Sequence, residues 1–228
     1  MKGVAVVTGA SRGIGRATAL ALAERGLDVA LLSREVEPLE EVAAAIVALG
    51  RRALAVRCDV ASTAEVEHAR DRTLAELGAP LVVVNNAGIV RRSLVHETSD
   101  ADWDAVIAVN LRAPFVVSRA FLPSMLAAGR GRLVAVSSIS ATLGTARQAS
   151  YCASKWGVVG FTKSLAEELR GTGLAALAVL PGSVDTEMLK GSGFAAQMRP
   201  EDVASLVVYA ALDAPAAMNG SAVEMFGP

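Results

Sequence analysis

The sequence predicts an α/β protein built on one doubly wound parallel sheet of about seven strands, with helices on both faces. Three observations predict it. Short apolar runs of strand length alternate with longer helix-period segments along the chain. The short runs are continuously apolar, which means burial on both faces, as a helix-covered parallel sheet requires. No proline-rich linker or internal repeat divides the 228 residues, so 1–228 reads as a single domain.

The elements follow in order. "GVAVVT" (3–8) is the first strand and 13–26 the first helix. "DVALLS" (28–33) is the second strand, followed by a helix from about Glu35 to Leu49. "RALAVR" (52–57) precedes a helix over 62–77, and "PLVVVN" (80–85) one long helix over 100–128. "GRLVAVSS" (131–138) leads to a helix over 150–171. "LAALAVLP" (174–181) leads to a helix over 199–212, whose Pro200 and acidic first turn mark a helix start. "GSAVEMF" (220–226) closes as a short strand.

Composition narrows the function classes. Hydrophobic residues make up 53% and the net charge is −1, so there is no basic footprint for nucleic acid and no polybasic membrane patch. The apolar run after Lys2 breaks at glycine within a few residues, too short for a signal peptide or a span, and a cytoplasmic protein is expected. Cys58 and Cys152 read as two reduced thiols. His68 and His96 have no ligand spacing around them, and no metal site is expected.

"TGASRGIG" (8–15) follows the first strand and opens the first helix, with Gly9, Gly13 and Gly15 spaced G-x-x-x-G-x-G. Such a turn lets backbone approach a pyrophosphate, while the helix N-terminus offers free N–H groups. The placement points to a dinucleotide-binding (Rossmann) fold. The end of the second strand bears on which dinucleotide. An acid there grips a ribose 2′-hydroxyl, whereas arginine suits a 2′-phosphate. The stretch is "LLSRE": Ser33 stands where the acid is expected, Arg34 follows, and Arg12 reaches the same region. NADP is therefore the expected cofactor, with Glu35 placed at the start of the next helix.

"SISATLGTARQASYCASK" (138–155) sets Tyr151 and Lys155 four residues apart, thirteen and seventeen residues after Ser138. A Y-x-x-x-K pair is by itself an ordinary helical pair. Scarcity gives it weight, because the chain has two tyrosines, four lysines and four asparagines. Together with "CDV" (58–60), "NNAG" (85–88), "VN" (109–110), "VSS" (136–138) and "PGSVDT" (181–186), these motifs closely resemble the short-chain dehydrogenase/reductase family over essentially the whole chain. Within that family they look most like 3-oxoacyl-carrier-protein reductases and related carbonyl reductases.

The resemblance implies a catalytic tetrad of Asn110, Ser138, Tyr151 and Lys155. Tyr151 would be the acid in carbonyl reduction and the base in alcohol oxidation. The charge of Lys155, with the oxidised nicotinamide, would favour the phenolate of a group whose free pKa is about 10. Ser138 would hold the substrate oxygen, and Asn110 a water relaying protons from Lys155 to solvent. The cofactor would meet Gly9, Ser11, Arg12, Gly13, Ile14, Gly15, Ser33, Arg34, Asp59, Val60, Asn86, Ala87, Gly88, Tyr151, Lys155, Pro181, Gly182, Val184 and Thr186. The substrate would meet Ser138, Ile139, Gln148 and Tyr151.

The resemblance also implies a homotetramer formed through the helices over 100–128 and 150–171 and through the apolar ending "SAVEMFGP". Arg91, Arg92, Arg130 and Arg170 could face an acyl carrier protein or be scattered surface charges. The segment 189–198 is shorter than many family lids, and it is expected to be a mobile flap with Phe194 or Met198 folding over the nicotinamide. The alternative is a site closed by Ile139, Leu143 and Gln148. Two further readings stay open: an NAD-dependent alcohol or sugar dehydrogenase, and a dinucleotide-binding sensor without turnover, which would not need the tetrad.

Overall fold

A computed structural model describes residues 3–227; Met1, Lys2 and Pro228, the ends of the expected domain, lie outside the described residues. Seven strands form one parallel sheet: β1 (Val4–Thr8), β2 (Asp28–Ser33), β3 (Ala53–Arg57), β4 (Val82–Asn85), β5 (Gly131–Val136), β6 (Leu174–Pro181) and β7 (Ala222–Met225). Their order is β3-β2-β1-β4-β5-β6-β7. The helices are α1 (Gly13–Glu24), α2 (Glu37–Ala48), α3 (Thr63–Glu76), α4 (Asp100–Ile107), α5 (Ala113–Ala128), α6 (Ala149–Glu168) and α7 (Pro200–Val208).

The burial of the strands follows from their sequences. Every residue of β1 and of β6 is buried, as continuous apolar runs require in a sheet covered on both sides. One apolar cluster joins the sheet to α1, α2 and α7 through Leu22, Ile46 and Val203. The other joins it to α3, α5 and α6 through Val66, Phe121 and Leu165. The edge strands differ: β3 alternates between deeper and shallower positions, and β7 is only partly covered. The stretch Asp100–Ala128 is long and apolar enough to cross a membrane by length and composition, but α5 packs in the second cluster against the sheet.

The structure revises three expected elements. The helix over 100–128 is two helices joined by a π turn (Ala108–Arg112) that holds Asn110. Residue 114 is proline, so the N–H that an α-helix would send to the Asn110 carbonyl does not exist. The helix after β2 starts at Glu37, with Pro38 in its first turn, which leaves Glu35 in the loop. β5 ends at Val136, and Ser137 and Ser138 belong to the loop beyond it.

Candidate active site

The chain order reverses between β1 and β4, and the carboxyl ends of the strands open on a crevice at that switch point. A cavity of about 590 Å³ runs along it. Every residue expected to meet the cofactor between Gly9 and Gly88 lines this cavity, as do Tyr151, Lys155 and Thr186. Pro181, Gly182 and Val184 line instead an adjoining cavity of about 190 Å³ with Ser138, Ile139 and Gln148. Tyr151 borders both.

The glycine turn is shaped by its neighbours. A Cβ on Gly15 would overlap the Gly9 carbonyl oxygen and stand 2.5 Å from Asn86 Nδ2. Asn86 Nδ2 donates to the carbonyls of Thr8 (2.9 Å) and Gly9 (3.2 Å), and the Thr8 hydroxyl accepts from Asn86 N and Ala87 N, each at 3.0 Å. The "NNAG" stretch therefore staples the turn to the end of β4. Gly9 has φ +64, the left-handed region that glycine adopts at little cost.

At the adenosine end, Ser33 Oγ donates to Ser11 Oγ at 3.1 Å. Arg12 Nη1 lies 3.4 Å from Glu35 Oε2, with both side chains half exposed. Glu35 is thus a cleft residue and not a helix start, a revision of the expected position. Asp59 Oδ1 accepts from Ala61 N at 3.0 Å, so this side chain also fixes the turn into α3.

Tyr151 and Lys155 lie one turn apart on α6, and both are buried, Lys155 at 4% exposure. Lys155 Nζ stands 5.6 Å from the phenol ring centroid and donates to the Val136 carbonyl at 2.9 Å. Burial lowers the Lys155 pKa to about 8. Burial raises the Tyr151 pKa, while the neighbouring Ser138 hydroxyl and the charge of Arg92 oppose the rise. In the chain alone desolvation outweighs charge; the lowering expected from the sequence belongs to Lys155 acting together with the oxidised nicotinamide. Ser138 Oγ accepts from Ser140 N at 3.1 Å and keeps its own proton to donate.

Asn110 lines neither cavity. Its Oδ1 accepts from Ile89 N (2.8 Å), and its Nδ2 donates to Ile89 O (2.9 Å) and Ser154 Oγ (3.1 Å). Both side-chain donors are spent on holding the loop after Gly88, so the side chain has no proton left to give a water.

The short segment after β6 is tied at both ends. Ser183 O accepts from Gln197 N (3.0 Å) and Met198 N (3.1 Å), and Arg92 Nη2 donates to Met188 O at 2.7 Å. Met198 is 5% exposed and packs in the core, so it cannot serve as a flap residue. Phe194 is 57% exposed and borders the smaller cavity. Ile139 and Gln148 border that cavity as well, whereas Leu143 does not.

Sequence reasoning missed Ser137, Ile89, Met188 and Arg92, which also line the cavities. Arg91 pairs with Asp102 and Arg170 with Glu167, but Arg92 turns inward. Both cysteines are free, and the Cys58 thiol is pushed up to about 12 by burial. Among the described residues no cluster of His, Cys, Asp or Glu could hold a metal.

A glycine turn at the switch point, a long cleft and a buried Tyr–Lys pair at its inner end define a dinucleotide-dependent oxidoreductase. The chain belongs to the short-chain dehydrogenase/reductase family: the family model described as "short chain dehydrogenase" matches residues 3–195. It is an NAD(P)-dependent enzyme that passes hydride between nicotinamide and a carbonyl or alcohol. The chain is 39% identical to a 3-oxoacyl-[acyl-carrier-protein] reductase of Synechocystis sp. over 94% of this chain and 91% of that protein. It is 36% identical to a D-threitol dehydrogenase of Mycolicibacterium smegmatis, covering 96% and 89% of the two chains. The crystal structure of a short-chain type dehydrogenase/reductase from Mycobacterium marinum superposes with a TM-score of 0.93 at 31% identity, over 99% of this chain and 94% of that one.

Proposed function

We propose that the chain is an NADPH-dependent carbonyl reductase whose acid is Tyr151, supported by Ser138, Lys155 and Asn110. The observation that carries this is the position of Tyr151, which borders both the long cleft and the smaller cavity. The cleft fits a dinucleotide, because its volume of about 590 Å³ runs along the switch point with the glycine turn and the N-terminus of α1 in its wall. When bound, the nicotinamide supplies or accepts the hydride. The chain does the rest. Ser138 donates to the carbonyl oxygen, and Tyr151 Oη gives that oxygen its proton as charge develops.

Lys155 has donors to spare beyond the one on Val136, and it directs them at the nicotinamide ribose and toward Tyr151. Asn110 acts as a positioning residue: its side chain fixes Ile89, and its main-chain carbonyl, lacking a helical donor from residue 114, takes the relay water. The non-catalytic sensor reading gives no reason for Ser138, Tyr151 and Lys155 to border the cavities together.

Arg34, and Arg12 released from its exposed Glu35 contact, hold the 2′-phosphate. Each charge-assisted contact contributes about 1.5–3 kcal/mol, so NADPH binds about ten- to a hundredfold more tightly than NADH. Glu35 favours the second reading, since an acid lining this end of the cleft could accept from a ribose 2′-hydroxyl. Titration of the cofactor-free protein with both nucleotides decides: equal affinities, or tighter NADH, make it an NAD-dependent alcohol or sugar dehydrogenase.

A 3-oxoacyl thioester is a candidate substrate, on the name of the Synechocystis relative. An acyl carrier protein would then be a partner, with exposed Arg130 available to it. The protein is read as a cytoplasmic homotetramer. Phe115, on α5, and Trp156, 55% exposed on α6, leave an apolar outer face that a second copy would cover, and Phe226 extends a second one beside β7. Light scattering should give a tetramer at micromolar concentration, and a monomer would contradict it.

A further inference from the structure

Arg92 carries the only charge among the described residues lining the smaller cavity. Its guanidinium has backbone partners alone, Met188 O at 2.7 Å and Lys190 O at 3.4 Å. Its Nε is shut off from solvent and meets no acceptor. The carboxylates nearby are committed elsewhere: Asp102 to Arg91, and Glu187 to Lys190 at 2.6 Å. The cation is close enough to Tyr151 to act on the phenol. The guanidinium is only partly buried, and each terminal nitrogen keeps one N–H beyond its backbone bond, so its fork can still take a carboxylate.

We propose that Arg92 is a specificity residue that binds a substrate carboxylate, so that oxo acids, or hydroxy acids in the reverse direction, are preferred over the corresponding esters and neutral ketones. This rests on the reading that the carbonyl is reduced beside Tyr151. The remaining lining is neutral, with Ile139, Val184 and Leu189 on the walls and Gln148 and Ser138 as hydrogen-bonding groups, so it can hold a short carbon skeleton between the two ends. The same guanidinium anchors the 188–190 segment, so the carboxylate would sit against the roof of the cavity.

The test uses the full chain with NADPH and a series of straight-chain and cyclic oxo acids, each against its own methyl ester. The wild type should favour the acid about ten- to a hundredfold in kcat/KM. In Arg92→Met the acid-over-ester ratio should fall to near one, through KM of the acids, and Arg92→Lys should retain part of it. A residue that only clamps the loop would change both rates and leave the ratio alone. Equal rates for acid and ester in the wild type, or an unchanged ratio in Arg92→Met, would overturn the proposal.

Calorimetric titration of the NADP-loaded protein with benzoate, and with benzamide as the neutral match, separates the two readings. If no carbonyl is turned over, the functional reading fails; benzoate binding that Arg92→Met abolishes still supports the carboxylate site. Absent benzoate binding, or binding equal to that of benzamide, overturns it.

Discussion

Tyr151→Phe should lower carbonyl reduction by about a hundred- to ten-thousandfold while leaving NADPH affinity within about twofold of the parent. Phenylalanine keeps the ring that fills this buried position, so the fold loses little. Only the hydroxyl disappears, and with it the proton that the carbonyl oxygen must receive. The pH dependence follows from the direction of the shift. Burial keeps the phenol protonated well above neutrality, so reduction by the wild type should stay level through neutral pH and fall only in the alkaline range. Alcohol oxidation needs the phenolate and should rise with pH until Lys155 loses its proton. Steady-state rates in both directions and a cofactor titration check this. A variant turning over near the parent rate would assign the acid elsewhere.

Lys155→Met should separate activity from stability. Loss of the ammonium should cost at least about a hundredfold in turnover and weaken the cofactor, since the same group serves both. Stability should move the other way at neutral pH. Burial lowers the folded-state pKa to about 8, against 10.5 for the free side chain. The unfolded chain therefore binds this proton more tightly, and the burial cost is present in full below about pH 8. It fades as pH rises from about 8 toward 10.5, where the folded lysine is neutral and the unfolded one still charged.

The cost corresponds to about 3 kcal/mol, offset by about 1–3 kcal/mol for leaving the Val136 carbonyl without its donor. The cofactor-free variant should thus be at least as stable as the parent at pH 7. Relative to the parent, it should lose ground as pH approaches 10. Thermal unfolding at several pH values reads this, and a fixed deficit at every pH would show that Lys155 is structural support and not a buried charge under strain.

Much of this protein is legible from its residues because burial on both faces writes itself into the strands. "VAVVT" and "LAALAVLP" could be placed without a structure for that reason. The glycine turn and the Tyr–Lys pair were legible too, because their chemistry depends on spacing within one element. The π turn was not: an extra residue in an apolar helix leaves no mark on the pattern, although Pro114 in the first turn of α5 is the trace it left. Glu35 was misplaced because Pro38, and not the first acid, marks where α2 begins. Adjacent arginines in an irregular loop carry no periodicity, so nothing in "VRRS" tells that Arg91 faces Asp102 while Arg92 faces the cavity. The rise of the Tyr151 pKa was hidden for a different reason. Desolvation is a property of the assembled core, whereas the i to i+4 spacing shows only the partner.

Hydride transfer from NADPH to a carbonyl at this site is tested most directly by following the atom itself. NADPH carrying deuterium at the transferable position of the nicotinamide ring would be incubated with the wild type and a panel of oxo acids and ketones. Mass spectrometry of the alcohol should show a single deuterium at the former carbonyl carbon, matched mole for mole by oxidised cofactor. An alcohol formed without the label, or no alcohol from any carbonyl while the labelled cofactor stays bound and unreacted, would contradict the account.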